Sequence, residues 1–191
     1  NMDIQVTYFD QKGPVNTEAT LRIAQKRAAE LGIEQVVIAS TYGEAARKAL
    51  EIFDSSKVNV VVVTISYGFK NEGWIMEEEV RKELEEKGAK VLTSIHALGD
   101  DVSSSFSSQK GGFSANQIVA ETLRRFSQGM KVAVEITLMA AEAGFIDVEK
   151  ETISIGGTDR GVDTAIVVKP AYARNFLDFE IREILAKPRI T

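Results

Sequence analysis

A turn rich in glycine and polar side chains lies between two short apolar runs, residues 152–155 and 165–168. Backbone N–H groups, hydroxyls and one guanidinium crowded into such a turn are the groups that bind a phosphate. A glycine-rich hairpin with solvated charges explains the same pattern without any ligand. The turn is the best indication of chemistry in this sequence, and its candidate binding residues are Gly156, Gly157, Thr158, Asp159, Arg160, Gly161, Asp163 and Thr164.

A second polar turn, with Ser40, Thr41 and Gly43, follows an apolar run at 35–39 and leads directly into a predicted helix. Free N–H groups at a helix N-terminus favour a bound anion, helped by the helix dipole. The alternative is that a hydroxyl merely caps the helix. In open α/β sheets, ligands bind beyond the carboxyl ends of strands where the strand order reverses. We therefore expect both turns to face one crevice.

A third group of candidates follows the next apolar run along the chain, and we expect it at the same edge of the sheet. Tyr67 and Phe69 could stack on a planar ring, although aromatic side chains often simply cover a sheet end. The binding candidates of this group are Thr64, Ser66, Tyr67 and Gly68.

Acid–base candidates are few, and we name only His96 and Glu135. His96 could shift protons near neutral pH, but a lone histidine without a placed partner is more often structural. Glu135 shares one predicted helix face with Lys131 and Glu142. Paired carboxylates can perform acid–base catalysis, whereas a solvated face or an internal salt bridge is the simpler interpretation. Asp100 and Asp101 are a still weaker magnesium candidate, so no metal site is predicted.

Composition excludes several functional classes. The chain has 28 acidic and 23 basic residues, a net charge of −5, which argues against a nucleic-acid partner. It has no cysteine and one histidine, which excludes thiolate nucleophiles and multi-histidine metal sites. No apolar stretch approaches the length of a membrane span and no signal-peptide pattern opens the sequence. We expect a cytoplasmic protein without a membrane partner.

The elements that position these candidates alternate along a single predicted domain, residues 1–191. Continuous Val/Ile runs that alternate with helices indicate a parallel sheet covered on both faces, hence a doubly wound α/β fold. A segment at 130–142 is apolar nearly all round and is expected at the centre of the packing. A serine-rich stretch at 103–108 is predicted to be a loop, either disordered or a lid. Predicted strands are 4–9, 35–39, 58–65, 90–95, 152–156 and 165–168. Predicted helices are 17–31, 43–53, 76–87, 114–126, 130–142 and 175–186.

Two stretches carry a resemblance to a known family. Residues 37–46, VIASTYGEAA, resemble the first strand–turn–helix of the pyruvate kinase C-terminal domain. The turn at 157–164 and the VVKP that follows it resemble the effector loop of that domain. A closer resemblance is to small stand-alone prokaryotic proteins that consist of this α/β domain alone, with matching motifs at 16–18, 39–41, 111–113, 131–135, 157–158, 163–165 and 187–189.

The resemblance implies a three-layer α/β sandwich whose five-stranded, mostly parallel sheet has the order 3-2-1-4-5 and an antiparallel last strand. Pyruvate kinase activity is not implied, since its chemistry resides in a barrel domain not found in these residues. Tyr42 and Ala45 stand where the kinase loop has small hydroxyl residues, which disfavours a sugar bisphosphate. The stand-alone relatives suggest flavin mononucleotide (FMN) instead, with ribityl hydroxyls held by Asp163, Thr164, Thr64 or Ser66.

The prediction from sequence is therefore a domain that binds a small phosphorylated ligand, with FMN as the suspected cofactor. Two alternatives stay open. One is an enzyme acting on a phosphorylated metabolite, with His96 or Glu135 as acid or base. The other is a regulatory subunit that senses a phosphometabolite through a partner. The sequence also leaves a homo-oligomer open.

Overall fold

A computed structural model describes residues 1–190, in which seven strands form one mixed sheet flanked by helices. The strands are β1 (Thr7–Phe9), β2 (Gln35–Ala39), β3 (Asn59–Val63), β4 (Lys90–Leu92), β5 (Thr152–Gly156), β6 (Thr164–Lys169) and β7 (Glu180–Pro188). The helices are α1 (Thr17–Leu31), α2 (Glu44–Ile52), α3 (Glu78–Glu86), α4 (Val102–Lys110), α5 (Ala115–Arg124) and α6 (Gln128–Glu142). In this part of the chain no helix is both long and apolar enough to cross a membrane.

The sheet has the order β1-β7-β6-β5-β2-β3-β4. Strands β5, β2, β3 and β4 are parallel to one another, and β6 runs antiparallel to both β5 and β7. The predicted α/β class and mixed sheet are confirmed. The predicted five-stranded sheet and its order are wrong for residues 1–190, because β7 and β1 extend the sheet beyond β6.

The source of this error is the C-terminal segment, where the predicted helix at 175–186 is wrong. Ile181, Ile184 and Leu185 have a spacing typical of an amphipathic helix, but the segment hydrogen-bonds along β6 as strand β7. Tertiary pairing commonly overrides such a local preference. Only a short 3₁₀ segment, Ala173–Asp178, precedes the strand.

Alternating side chains of the central strands divide the core into two layers, one on each face of the sheet. Val36, Ile38, Val60 and Val62 pack with α1, α2 and α3. Val37, Val61 and Val63 face the other way and pack with α6. Helix α6 buries most of its residues, which confirms its predicted central position.

The serine-rich stretch at 103–108 belongs to helix α4, so its predicted loop conformation is wrong. The carboxylate of Asp101 accepts a hydrogen bond from the Ser104 N–H at 2.8 Å and caps this helix. Such a cap offsets the low helix propensity of serine. A prediction from residue propensities alone therefore misses this helix. The helix predicted at 114–126 is present as α5, and Ser114 caps it through a capping box with Gln117.

Candidate functional site

A cleft of about 760 Å³ opens at the carboxyl ends of β2, β3 and β5, and one face of α6 lines it. The chain passes from β2 to β3 and β4 on one side and returns to β5 on the other side of β2. The strand order therefore reverses between β2 and β5, which is where open α/β sheets place their ligands. Both polar turns contribute to the walls of this cleft, as the sequence predicts.

The turn after β2 contributes Ser40 and Thr41 to the cleft wall. The Ser40 hydroxyl accepts hydrogen bonds from the N–H groups of Gly43 and Ala46, at 3.1 and 3.3 Å, so it does cap the start of α2. Gly43 lies behind this wall with φ = 101°, where an added Cβ would meet Val80. Among residues 1–190, no backbone acceptor is hydrogen-bonded to the Thr41 N–H.

The glycine-rich turn after β5 contributes Gly157, Asp159, Arg160 and Gly161 to the opposite wall, whereas Gly156 and Thr158 do not line the cleft. The Arg160 guanidinium lies 4.5 Å from the centre of the Tyr42 ring. It also lies 3.8 Å from the Glu44 carboxylate, although both side chains are more than half exposed. Arg160 therefore connects the two turns across the mouth of the cleft.

Asp163 and Thr164 lie inside the fold and not on the cleft. Asp163 is fully buried, and its carboxylate accepts hydrogen bonds from the Gly13 N–H at 2.8 Å and the Thr164 hydroxyl at 3.0 Å. The Thr164 hydroxyl also lies 2.9 Å from that of Ser127, which caps α6. In the structure both residues hold other segments together.

The end of β3 supplies Thr64 and, from the following segment, an aromatic pair. The Thr64 hydroxyl is 2.6 Å from that of Thr93 and donates to the Ile65 carbonyl. Phe69 and Trp74, called here the aromatic pair, stack at 5.5 Å with 22° between their planes, and both line the cleft. Ser66, Tyr67 and Gly68 do not line it.

His96 lines the cleft with both ring nitrogens engaged. Its Nε2 accepts a hydrogen bond from the Ser66 N–H at 3.2 Å, so Nδ1 carries the proton and faces the Asp100 carboxylate at 2.7 Å. This hydrogen bond, together with the positive charge of Lys131, holds the pKa of Asp100 below its usual value, although burial opposes the shift. His96 therefore links two loops, and a catalytic role would require these contacts to open.

The floor of the cleft is formed by α6, where Lys131 and Glu135 form a buried ion pair at 2.5 Å. The second carboxylate oxygen of Glu135 accepts a hydrogen bond from the Leu98 N–H at 2.7 Å. The internal salt bridge considered from the sequence is therefore correct for these two residues. Glu142 lies apart and accepts a hydrogen bond from the Ala173 N–H.

Three aromatic or polar residues of the cleft are not predicted from the sequence, namely Trp74, Arg124 and Gln128. Arg124 Nε donates to the Gln128 side-chain oxygen at 2.8 Å. Gln128 could have been found, because it lies one and two helical turns from Lys131 and Glu135 on the same face. Trp74 lies ten residues after Thr64 in the sequence. The residues around Trp74 do not indicate which way its ring points. Residues 1–190 contain no group of three His, Asp or Glu side chains arranged for a metal ion.

Comparisons with known proteins give similar solved structures and one matching family model. Two solved structures of pyruvate kinase from Cryptosporidium parvum, the second in complex with ADP, are similar at 15% and 14% sequence identity. They match 84% and 93% of this chain, with TM-scores of 0.45 and 0.42. The chain spans about a quarter of their length, 24% and 25%. A family model described as "Pyruvate kinase, alpha/beta domain" matches residues 18–168, and the chain therefore belongs to this family.

Proposed function

We propose that the protein binds a small phosphorylated ligand with a planar ring, FMN being the named candidate, in the cleft at the strand-order reversal. One observation carries the proposal: a cleft of about 760 Å³ that is lined both by two polar turns and by an aromatic pair. Ligand pockets of this kind combine apolar walls with a few placed polar groups. A cytoplasmic location belongs to the same proposal and rests on the sequence alone.

The phosphate would lie at the end formed by the two turns. Thr41 offers a backbone N–H, Gly157 and Gly161 expose main chain, and Arg160 supplies a positive charge. The contact of Arg160 with Glu44 is long and exposed, so a phosphate could replace it at little cost. Arginine suits this task because its planar donors match phosphate oxygens.

The middle of the cleft would take the ribityl chain. Besides those of the two turns, the polar side chains that line the cleft are Thr64, His96, Asp100, Arg124, Gln128, Lys131 and Glu135. Strands β5, β2 and β3 are neighbours, so the turn after β5 and the end of β3 are about 10 Å apart, two inter-strand spacings. This separation suits a ligand whose phosphate and ring lie at opposite ends. Ser66, Asp163 and Thr164 would have no direct part in binding.

The test begins with the protein as purified. Mass spectrometry of small molecules released on unfolding identifies any ligand that accompanies it. Excess FMN is then expected to raise the midpoint of thermal unfolding, by a stabilisation of about 2.7 kcal/mol at about 100 times the dissociation constant. Riboflavin, which lacks the phosphate, is expected to stabilise less.

The matched variants are Arg160→Gln and Arg22→Gln. Both remove a largely exposed arginine from a weak ion pair, but Arg22 lies on α1 and not on the cleft. Calorimetric titration is expected to show about tenfold weaker FMN binding for Arg160→Gln and no change for Arg22→Gln. If FMN neither stabilises nor binds the wild-type protein and no phosphorylated compound is released from it, the proposal is wrong.

A further inference from the structure

We infer that the aromatic pair, Phe69 and Trp74, is the subsite that receives the planar heteroaromatic ring of the ligand, with Trp74 as the stacking face. This inference rests on the proposed function. It assigns ring recognition to a residue that the sequence pattern does not single out, and it sets the orientation of the ligand in the cleft.

The first observation is the exposure of Trp74. Its side chain remains 46% exposed although it lines a cleft and stacks on Phe69. An aromatic side chain that serves packing alone can bury nearly all of its surface, as Phe53 does elsewhere in this fold. Trp74 instead presents apolar surface to the cleft, where a planar ring could cover it.

The second observation is that the segment carrying the aromatic pair is fixed in place. The Trp74 N–H donates to the Phe69 carbonyl at 3.2 Å, and Gly73 makes the bend between them with φ = 75°. At the start of the segment the Ser66 N–H is held by His96. A preorganised ring surface loses little conformational entropy on binding, which favours affinity. His96 thus anchors the start of this segment.

Tyr67 provides the contrast within the same segment. It is 63% exposed, lies under the Lys70 ammonium at 5.4 Å, and does not line the cleft. The sequence favours Tyr67 and Phe69 as the stacking residues, whereas the geometry favours Phe69 and Trp74. Tyr67 is therefore a matched control for substitution of an exposed aromatic side chain.

The first experiment uses the intrinsic fluorescence of Trp74, since the chain contains a single tryptophan. Titration with FMN is expected to quench this emission at the concentrations at which calorimetry detects binding. Inorganic phosphate is expected to leave the emission unchanged. N-acetyltryptophanamide under identical conditions corrects for light absorbed by the flavin.

The second experiment measures FMN affinity by calorimetry for three variants. Trp74→Ala is expected to weaken binding about tenfold, the usual effect of losing one stacking face. Trp74→Phe is expected to retain most of the affinity, and Tyr67→Ala to retain all of it. Thermal unfolding without ligand verifies that each variant is folded.

The outcomes separate this inference from the proposed function. If FMN binds the wild type and Trp74→Ala equally well, or binds the wild type without quenching, the ring lies elsewhere and only the subsite is wrong. A loss for Trp74→Phe equal to that for Trp74→Ala would overturn stacking as the cause. If FMN does not bind the wild type, both the proposed function and the proposed subsite are wrong.

Discussion

Charged side chains on the cleft floor are held by specific neighbours. The side chains of Lys131 and Glu135 are 8% and 4% exposed, and Glu135 also accepts the Leu98 N–H. A buried ion pair gives up the hydration of both ions, so it is tolerated only with such additional hydrogen bonds. The pair therefore ties the loop at 97–101 to α6. At the scale of single residues, the two acid–base candidates of the sequence have structural partners.

Asp100 leads to a prediction about pH. Its pKa is held below the ordinary value of 3.8, first by the hydrogen bond with His96. A carboxyl with a lowered pKa in the folded state stabilises the fold fully above its unfolded pKa. That contribution is lost as the pH falls through the lower folded pKa. The thermal midpoints of wild type and Asp100→Asn should therefore differ near neutral pH and converge below pH 3.8.

Asparagine suits this substitution because Asp100 has φ = 56°, a conformation that Asn tolerates. Asp10→Asn, in the exposed N-terminal segment, is the control for loss of one negative charge. Midpoint curves of wild type and Asp100→Asn that stay parallel at every pH would show that the contact with His96 contributes nothing to stability.

At the scale of elements, the close approach of α6 to β5 shapes the cleft floor. A Cβ on Gly156 would collide with the Gly129 carbonyl oxygen and lie 2.8 Å from the Ala133 nitrogen, both in α6. The Ser154 hydroxyl donates to the Ala133 carbonyl at 2.8 Å in the same contact. Glycine at 156 therefore serves helix–strand packing, and this requirement explains part of the glycine-rich pattern without a ligand.

We predict that Gly156→Ala destabilises the protein by about 1–3 kcal/mol or more, because the added methyl group forces α6 away from β5. Urea denaturation measures the change in the free energy of unfolding. Gly68→Ala is the matched control, since its added Cβ would meet only the Ser66 hydroxyl at 3.8 Å. It should be neutral or slightly stabilising. Equal stability of the two variants would contradict the packing argument.

At the scale of the whole molecule, the chain ends are joined to the sheet by contacts between distant residues. Strand β1 pairs in parallel with β7. The Arg27 guanidinium forms a largely buried ion pair with Glu183 at 2.7 Å. Gly13 and Asp163, which are 150 residues apart in sequence, are joined by the hydrogen bond to the buried carboxylate. These contacts join the edge formed by β1 and β7 to the rest of the sheet.

Asp163→Asn tests this connection and also the binding role that the sequence assigns to Asp163. The substitution replaces one carboxylate oxygen of Asp163, an acceptor, with an NH₂ group, a donor. This NH₂ group faces either the Gly13 N–H or the Thr164 hydroxyl, both of which donate to the carboxylate in the wild type. We expect a loss of about 1–3 kcal/mol in the free energy of unfolding. FMN affinity of the folded variant should be unchanged. Unchanged stability with lost FMN binding would instead make Asp163 a ligand contact, as the sequence predicts.

The candidate site shows what could be predicted. Ser40, Thr41 and Arg160 were identifiable because each follows a strongly apolar run whose end must lie at one edge of the sheet. Trp74 was not, because a ring in a short irregular segment can point in any direction until the fold holds it against Phe69. Asp163 resembled a ligand contact because its polar side chain lies beside a glycine-rich turn. The sequence does not show that its carboxylate already accepts a hydrogen bond from the Gly13 N–H.

The sequence by itself determined the family, the α/β class, the central parallel strands and the meeting of two polar turns in one cleft. These conclusions follow from continuous β-branched runs and from the residues of the turns. Both are local patterns that residues close together in the sequence determine. Only the tertiary structure decided that residues 180–188 form a strand, that α4 is a helix, and which side chains face the cleft. Each of these depends on partners far away in sequence, whose hydrogen bonds and packing outweigh the local preference.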